Sequence, residues 1–180
     1  MIKYKVANRY SKALFETAKE YEILDKVKED IEIINEVFKT SKDFKIIMET
    51  SAVSKEEKKK IMEELAKKFD LNIISLNFFK VLIDKNKFKF LPTITEVFLK
   101  LYKDFIGIAD YEVISAVELD KEIINKIKKK LEEKTGKKVQ LKTSIDEEII
   151  GGLIIKTEGL IYDGSIKTHL LKIKEKILKG

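Results

Sequence analysis

The spacing of apolar residues changes once along this chain, near Gly107, and this change limits the available folds more than any other feature. Before that point apolar side chains recur every three or four positions, which places them on one face of an α-helix. After it they recur mainly at every second position, as in a half-buried β-strand, with two further helical stretches between and after. We therefore expect a mainly α protein of two domains: a helical bundle over residues 1–105 and a small α+β domain over residues 106–180.

The N-terminal part predicts six helical segments joined by short connections, hence a compact six-helix bundle. Ser54 and Glu57 have the spacing of a capping box, in which each side chain accepts a hydrogen bond from a free amide at the helix start. Asn86 suits the left-handed residue that ends the fifth helix, and Pro92 suits the first turn of the sixth. The apolar stripe of the first helix comprises Val6, Tyr10, Ala13, Leu14, Thr17, Ala18 and Tyr21.

The C-terminal part predicts strands and helices in alternation. Alternating residues predict a first strand whose inward side chains are Tyr111, Val113, Ser115 and Val117. A helix that begins at Asp120 and ends at Gly136 follows, then a second strand and a hairpin centred on residues 156–159. The terminal helix has a seam formed by Ile166, Leu170, Ile173 and Ile177. This seam suits either a partner helix or the cover of the domain's own sheet, and we favour the second.

Composition excludes several classes of protein. The chain has no cysteine, so disulfides, thiolate nucleophiles and Cys-ligated zinc are excluded. The first residues lack the apolar core of a secretory signal, and no apolar stretch is long enough to predict a membrane span. The net charge of +6 raises the alternative of a nucleic-acid-binding protein. We expect no nucleic-acid partner, because the basic residues are interleaved with acidic ones and Arg9 is the only arginine.

No catalytic pattern stands out. A third alternative is a hydrolase that uses His169, the only histidine, together with Ser165 and Asp163. The sequence lacks the nucleophile elbow that usually carries the serine of such an enzyme. The pair Gly151-Gly152 leads into a strand, whereas phosphate-binding glycines precede a helix. We therefore expect no catalytic residue, no cofactor and no metal. The sequence instead predicts an interaction module or a scaffold.

Four stretches of this sequence have a recognisable pattern: Val6–Phe15, Asn77–Phe88, Ile150–Ile155 and Ile161–Ile166. They resemble the delta subunit family of bacterial F-type ATP synthases, which includes the mitochondrial oligomycin sensitivity-conferring protein. The last is the most specific, since it carries the Asp-Gly-Ser motif at the expected distance from the Ile-Gly-Gly motif. The chain departs from the family pattern at Ser11, Asn86, Lys87, Phe88, Lys167 and His169.

The resemblance implies a non-catalytic stator subunit that links the catalytic head to the peripheral stalk and resists rotor torque during ion-driven ATP synthesis. It implies one copy per complex, without cofactor or metal, at the cytoplasmic face of the cell membrane and in contact with the membrane only through the complex. The helical domain would bind the N-terminal helix of an alpha subunit. The α+β domain would bind the C-termini of the b subunits.

The resemblance also implies a groove between the first and fifth helices as the site for this alpha-subunit helix. The residues that map to it are Tyr10, Ala13, Leu14, Asn77, Phe78 and Val81. A helix in a groove needs apolar anchors, a small residue for close approach and a few polar groups. The competing interpretation is that these residues form the bundle core. We favour the groove for Tyr10, Ala13 and Asn77, and leave both interpretations open for Leu14, Phe78 and Val81.

Overall fold

The computed structural model describes residues 2–157 and 159–179. It confirms the mainly α class, with six α-helices followed by a small α+β region in the part of the chain described. The helices of the first region are α1 (Ile2–Glu20), α2 (Leu24–Thr40), α3 (Lys42–Glu49), α4 (Lys55–Lys68), α5 (Ile73–Asp84) and α6 (Leu91–Phe105), with a short 3-10 helix at Phe88–Phe90. The chain divides into two compact units, residues 1–102 and 103–180.

The core of the helical unit is built around Phe88 of the short 3-10 helix. This side chain is 2% exposed, and its ring lies 5.5 Å from Phe38, 5.9 Å from Phe44 and 6.3 Å from Phe79 between centroids. Aromatic rings at these separations add attraction beyond the burial of their area. The cluster therefore joins α2, α3 and α5 to the segment that precedes α6.

The predicted helix ends are confirmed. The Ser54 amide donates to the Glu57 carboxylate at 2.9 Å, and the Glu57 amide donates to the Ser54 hydroxyl at 3.2 Å, which completes the capping box. Asn86 follows α5 with a φ of 53°, in the left-handed region. Pro92 is the second residue of α6, where its missing N–H has no helical partner to lose.

Two contacts set the direction of α1 within the bundle. The Ser11 hydroxyl donates to the Ile94 carbonyl at 2.7 Å, and the rings of Phe15 and Phe98 lie 6.2 Å apart. The second pair lies four residues after the first in both helices, so α1 and α6 run parallel. The segment between α5 and α6 therefore lies near the N-terminal end of α1, and α5 runs antiparallel to α1.

The second unit contains a four-stranded sheet. Its elements are β1 (Ile108–Ser115), α7 (Lys121–Thr135), β2 (Lys138–Ile145), a 3-10 helix at Glu147–Ile149, β3 (Leu153–Thr157), β4 (Leu160–Asp163) and α8 (Ile166–Lys179). The strand order is β2-β1-β3-β4, with β1 and β2 parallel and the other neighbours antiparallel. Helix α7 supplies the crossover that parallel strands require, and β3 with β4 forms the predicted hairpin.

One detail of the predicted second unit is wrong. Tyr111, Val113 and Ser115 are buried as expected, but Val117 lies beyond the end of β1 and is 68% exposed. The alternating pattern therefore continues to Val117, two residues beyond the end of β1 at Ser115. Asp120 occupies the N-cap position of α7, which confirms the predicted helix start, and its side chain makes no capping hydrogen bond.

The prediction that the α8 seam covers the domain's own sheet is also wrong. Ile166, Leu170, Ile173 and Ile177 are 45%, 52%, 54% and 74% exposed. The helix is fixed at its start instead, where the Ile166 amide donates to the Gly151 carbonyl and the Gly164 amide to the Leu153 carbonyl, both at 2.9 Å. The two glycine motifs thus pack against each other and leave the α8 seam uncovered.

Candidate functional site

A groove of about 840 Å³ lies between α1 and α5 in the helical unit. All six residues predicted to bind a partner line it: Tyr10, Ala13, Leu14, Asn77, Phe78 and Val81. The remaining lining residues are Arg9, Thr17, Tyr21, Ile23, Asn72, Ile73, Ile74 and Lys85. The structure therefore brings the predicted residues together on one concave surface.

Helix α1 carries two stripes where the sequence predicted one. The stripe that faces the core comprises Ala7, Ser11, Leu14, Phe15 and Ala18, all buried. The stripe that faces the groove comprises Tyr10, Ala13, Thr17 and Tyr21, at the same spacing of three and four but exposed or half-buried. Leu14 lies at the border, since it is only 3% exposed and also lines the groove. The single stripe drawn from the sequence had mixed the two faces.

Helix α5 is divided in the same way, which explains why its sequence is apolar on so many sides. Phe79, Leu82 and Ile83 are buried in the core. On the groove side Ile73, Asn77, Val81 and Lys85 follow at steps of four, with Ile73 63% and Val81 44% exposed. Phe78 is half-buried and packs edge-on to Phe79, with centroids 5.8 Å apart. It therefore forms part of the floor of the groove rather than its rim.

Asp30 fixes the N-terminal end of α5 and is a residue that sequence reasoning missed. Its side chain is fully buried, and its carboxylate accepts a hydrogen bond of 2.9 Å from the Asn72 amide and lies 3.2 Å from the Lys26 ammonium. The Asn72 side chain in turn accepts from the Ile74 amide at 2.8 Å. Negative charge at a helix N-terminus is stabilised by the helix dipole. The available signal was an aspartate placed three residues after Val27 on the buried face of α2.

The groove is electrostatically uneven. Among the described residues, Arg9 and Lys85 are the charged side chains in its lining, and no acidic side chain lines it. Because α1 and α5 are antiparallel, the two cations lie at one end of the groove and Tyr21 and Ile73 at the other. The groove surface is thus largely apolar, with a few uncharged polar groups, and is positive at one end.

The residues of the hydrolase alternative begin a helix instead of forming a triad. The Ser165 side chain is 2% exposed and accepts a hydrogen bond of 3.2 Å from the Thr168 amide. The Asp163 carboxylate accepts from the Ser165 amide and the Thr168 hydroxyl, both at 2.8 Å, and these bonds lower the pKa of Asp163. His169 is exposed, and within the described chain no hydrogen bond joins it to the Ser165 hydroxyl. The geometry therefore supports a capping role for these residues.

The described residues contain neither a metal-binding cluster nor a membrane-spanning helix. Residues 2–157 and 159–179 contain no group of three or more histidine, aspartate or glutamate side chains placed to hold a metal ion. The same residues contain no helix that has both the length and the apolar content to cross a bilayer.

Comparison with known proteins gives consistent matches over nearly the whole chain. Residues 6–177 match the family described as ATP synthase delta (OSCP) subunit. Proteins named ATP synthase subunit delta are 32% identical in Trichlorobacter lovleyi, over all of both chains, and 35% identical in Carboxydothermus hydrogenoformans, over 96% of both. In Ligilactobacillus salivarius such a protein is 37% identical over 97% of this chain and 96% of its own.

A solved structure has the same fold. A chain in the cryo-EM structure of the Toxoplasma gondii mitochondrial ATP synthase hexamer superposes with a TM-score of 0.67 at 17% identity. The match covers 96% of this chain and 97% of that one.

Proposed function

The chain belongs to the ATP synthase delta (OSCP) subunit family, and on that basis we propose which of its surfaces join the parts of the complex. The family resemblance predicted from the sequence is confirmed, and so is the non-catalytic character of the subunit. Its place is in the stator, the peripheral stalk that holds the catalytic head still while the rotor turns.

We propose that the groove between α1 and α5 binds the N-terminal helix of an alpha subunit. The observation that carries this proposal is the second, uncovered stripe on each of the two helices, with both stripes lining one groove. The stripe from Tyr10 to Tyr21 spans roughly 16 Å, or three turns, which is a length that a short amphipathic helix can match. Packed helices approach to about 8–10 Å, and the small side chain of Ala13 permits such an approach.

Burial of the exposed apolar groups supplies the driving force. Ile73 and Val81, which are 63% and 44% exposed, would each lose this exposed area on binding and gain part of the about 1.5–3 kcal/mol that full burial of such a side chain contributes. Asn77 and Thr17 provide polar groups beside the apolar ones, which can orient the bound helix. The groove thus combines apolar anchors, a point of close approach and polar orienting groups.

We propose that the second surface is the seam of α8, which binds the C-terminal segments of the b subunits. The seam is exposed along its length and is flanked by lysines, including Lys174 and Lys176, which suit acidic side chains on a partner helix. A subunit that holds the head at one surface and the stalk at another gains from the effective concentration that each contact creates for the other. We place one copy in the complex, at the cytoplasmic face of the membrane and in contact with the membrane only through the complex.

The groove is tested by binding of a synthetic peptide with the N-terminal sequence of the alpha subunit from the same organism, measured by calorimetry on the full chain. We expect the natural protein to bind and Ala13→Trp to lose at least about tenfold in affinity, because the indole fills the space for the helix. Lys12→Trp is the matched control, since Lys12 is exposed on the same helix outside the groove lining. Equal binding by Ala13→Trp and the natural protein, or no binding by either, would refute the assignment.

A further inference from the structure

The charge in the groove suggests how the bound helix is oriented. Residues 1–12 contain four basic residues and no acidic one, whereas Glu16 and Glu20 occur further along α1. Of the four basic residues only Arg9 lines the groove, and Lys85 meets it from the end of α5. The two cations come from different helices and lie at the same end, so together they define a positive end of the groove.

Neither cation has a partner among residues 2–157 and 159–179. Within the described residues, neither the Arg9 nor the Lys85 side chain forms a hydrogen bond or ion pair, and both residues are exposed. The acid next to Lys85 is already engaged, because Asp84 lies 2.5 Å from the Lys59 ammonium. Lys80, on the neighbouring face of α5, is likewise paired with Glu63 at 2.5 Å. The groove end therefore carries two positive charges that no described residue neutralises.

We propose that an acidic side chain of the bound helix lies between Arg9 and Lys85 and fixes the direction and register of that helix in the groove. The inference rests on the proposed function of the groove. Apolar attraction is non-directional. The apolar stripes of α1 and α5 alone would therefore accept a helix in either direction, or a helix shifted by one turn. Opposite charges at one end remove this ambiguity, since a reversed helix leaves both cations unpaired. Arg9 can also bind a carboxylate through two parallel hydrogen bonds, which a lysine cannot.

The first test reverses the charges one at a time. With the alpha-subunit peptide as probe, we expect Arg9→Glu and Lys85→Glu each to weaken binding about three- to tenfold, and the effect to shrink as salt is raised towards about 1 M. Lys12→Glu is the control, because it makes the same change of charge on α1 outside the groove lining. If all three variants bind as the natural protein does, the inference is wrong.

The second test exchanges charges across the contact. Each acidic residue of the peptide is replaced singly by lysine, and each peptide is measured with the natural protein and with the Arg9→Glu, Lys85→Glu double variant. We expect one peptide to bind weakly to the natural protein and to regain affinity with the double variant. A nitroxide label at the peptide end nearer that residue should then broaden the amide signal of Arg9 more than that of Tyr21. The absence of any such rescue, or stronger broadening at Tyr21, would overturn the inference.

The two proposals fail in different ways. If the natural protein does not bind the peptide, or if Ala13→Trp binds it equally well, the groove assignment itself is wrong. Suppose that Ala13→Trp abolishes binding, but that the charge variants bind the peptide as tightly as the natural protein does and no exchanged peptide regains affinity with the double variant. The groove assignment then stands, and the charge-guided orientation is refuted.

Discussion

Gly152 shows how a single residue positions a whole element of the second unit. Its φ is 80°, and a Cβ atom built there would lie 2.3 Å from the Gly164 carbonyl oxygen. That close approach permits the Gly164 amide to bond Leu153 and the Ile166 amide to bond Gly151, and so fixes the start of α8. The two glycine motifs on which the family resemblance rests therefore act together to position the start of α8.

We predict that Gly152→Ala destabilises the second unit by more than about 2 kcal/mol, since it combines an unfavourable φ with a backbone clash. Gly136→Ala is the control, because Gly136 also has a positive φ of 68° but nothing within 4 Å of the added methyl group. It should cost only about 1–2 kcal/mol. Urea unfolding monitored by NMR signals of β1 and β3 measures both. Equal losses for the two variants would show that the packing of the glycine motifs does not matter.

At the scale of single residues, the sequence correctly predicted the structural role of residues that interact only with near neighbours in the chain. The capping box of Ser54 and Glu57 and the left-handed Asn86 depend on neighbours within a few positions, so the pattern is sufficient. Asp30 depends on Asn72, which lies 42 positions away, and only the folded bundle brings the two together. The resemblance identified six of the fourteen residues that line the groove, and Arg9 and Lys85 at its positive end are among the other eight.

At the scale of elements, α1, α5 and α8 have apolar faces that intramolecular packing does not fully cover. Periodicity correctly identified these as helices, because apolar spacing reflects the helix repeat. It did not separate the two stripes of α1, since core and groove residues have the same spacing. It also failed for α8, because a seam that covers a sheet and a seam that binds a partner have the same sequence pattern.

We predict that Leu170→Lys with Ile173→Lys leaves the stability of the isolated chain within about 0.5 kcal/mol, because both side chains are more than half exposed. The same double variant should lose binding of a peptide that carries the C-terminal sequence of the b protein from the same organism. Lys172→Ala on the same helix serves as the control and should retain both properties. A fall in the melting temperature of several degrees, or unchanged peptide binding, would show that the seam is not a partner surface.

At the scale of the whole molecule, the switch in periodicity near Gly107 predicted a helical region followed by an α+β region, and the structure has both. Each unit also carries an apolar surface that it leaves exposed: the groove between α1 and α5 in the first, and the α8 seam in the second. A protein that joins the head of a rotary enzyme to its stalk needs two such surfaces, and it needs no active site. The molecule thus fits a mechanical role that depends on the strength of two contacts.

The most direct test of this account is reconstitution of the complete ATP synthase with the Ala13→Trp variant, with Lys12→Trp as control. Ion-driven ATP synthesis and ATP hydrolysis are measured on the same preparations. If the groove holds the head against torque, Ala13→Trp should lose most of the ion-driven synthesis while hydrolysis by the head persists, because the head then turns with the rotor. Synthesis equal to that of the Lys12→Trp control would contradict the account.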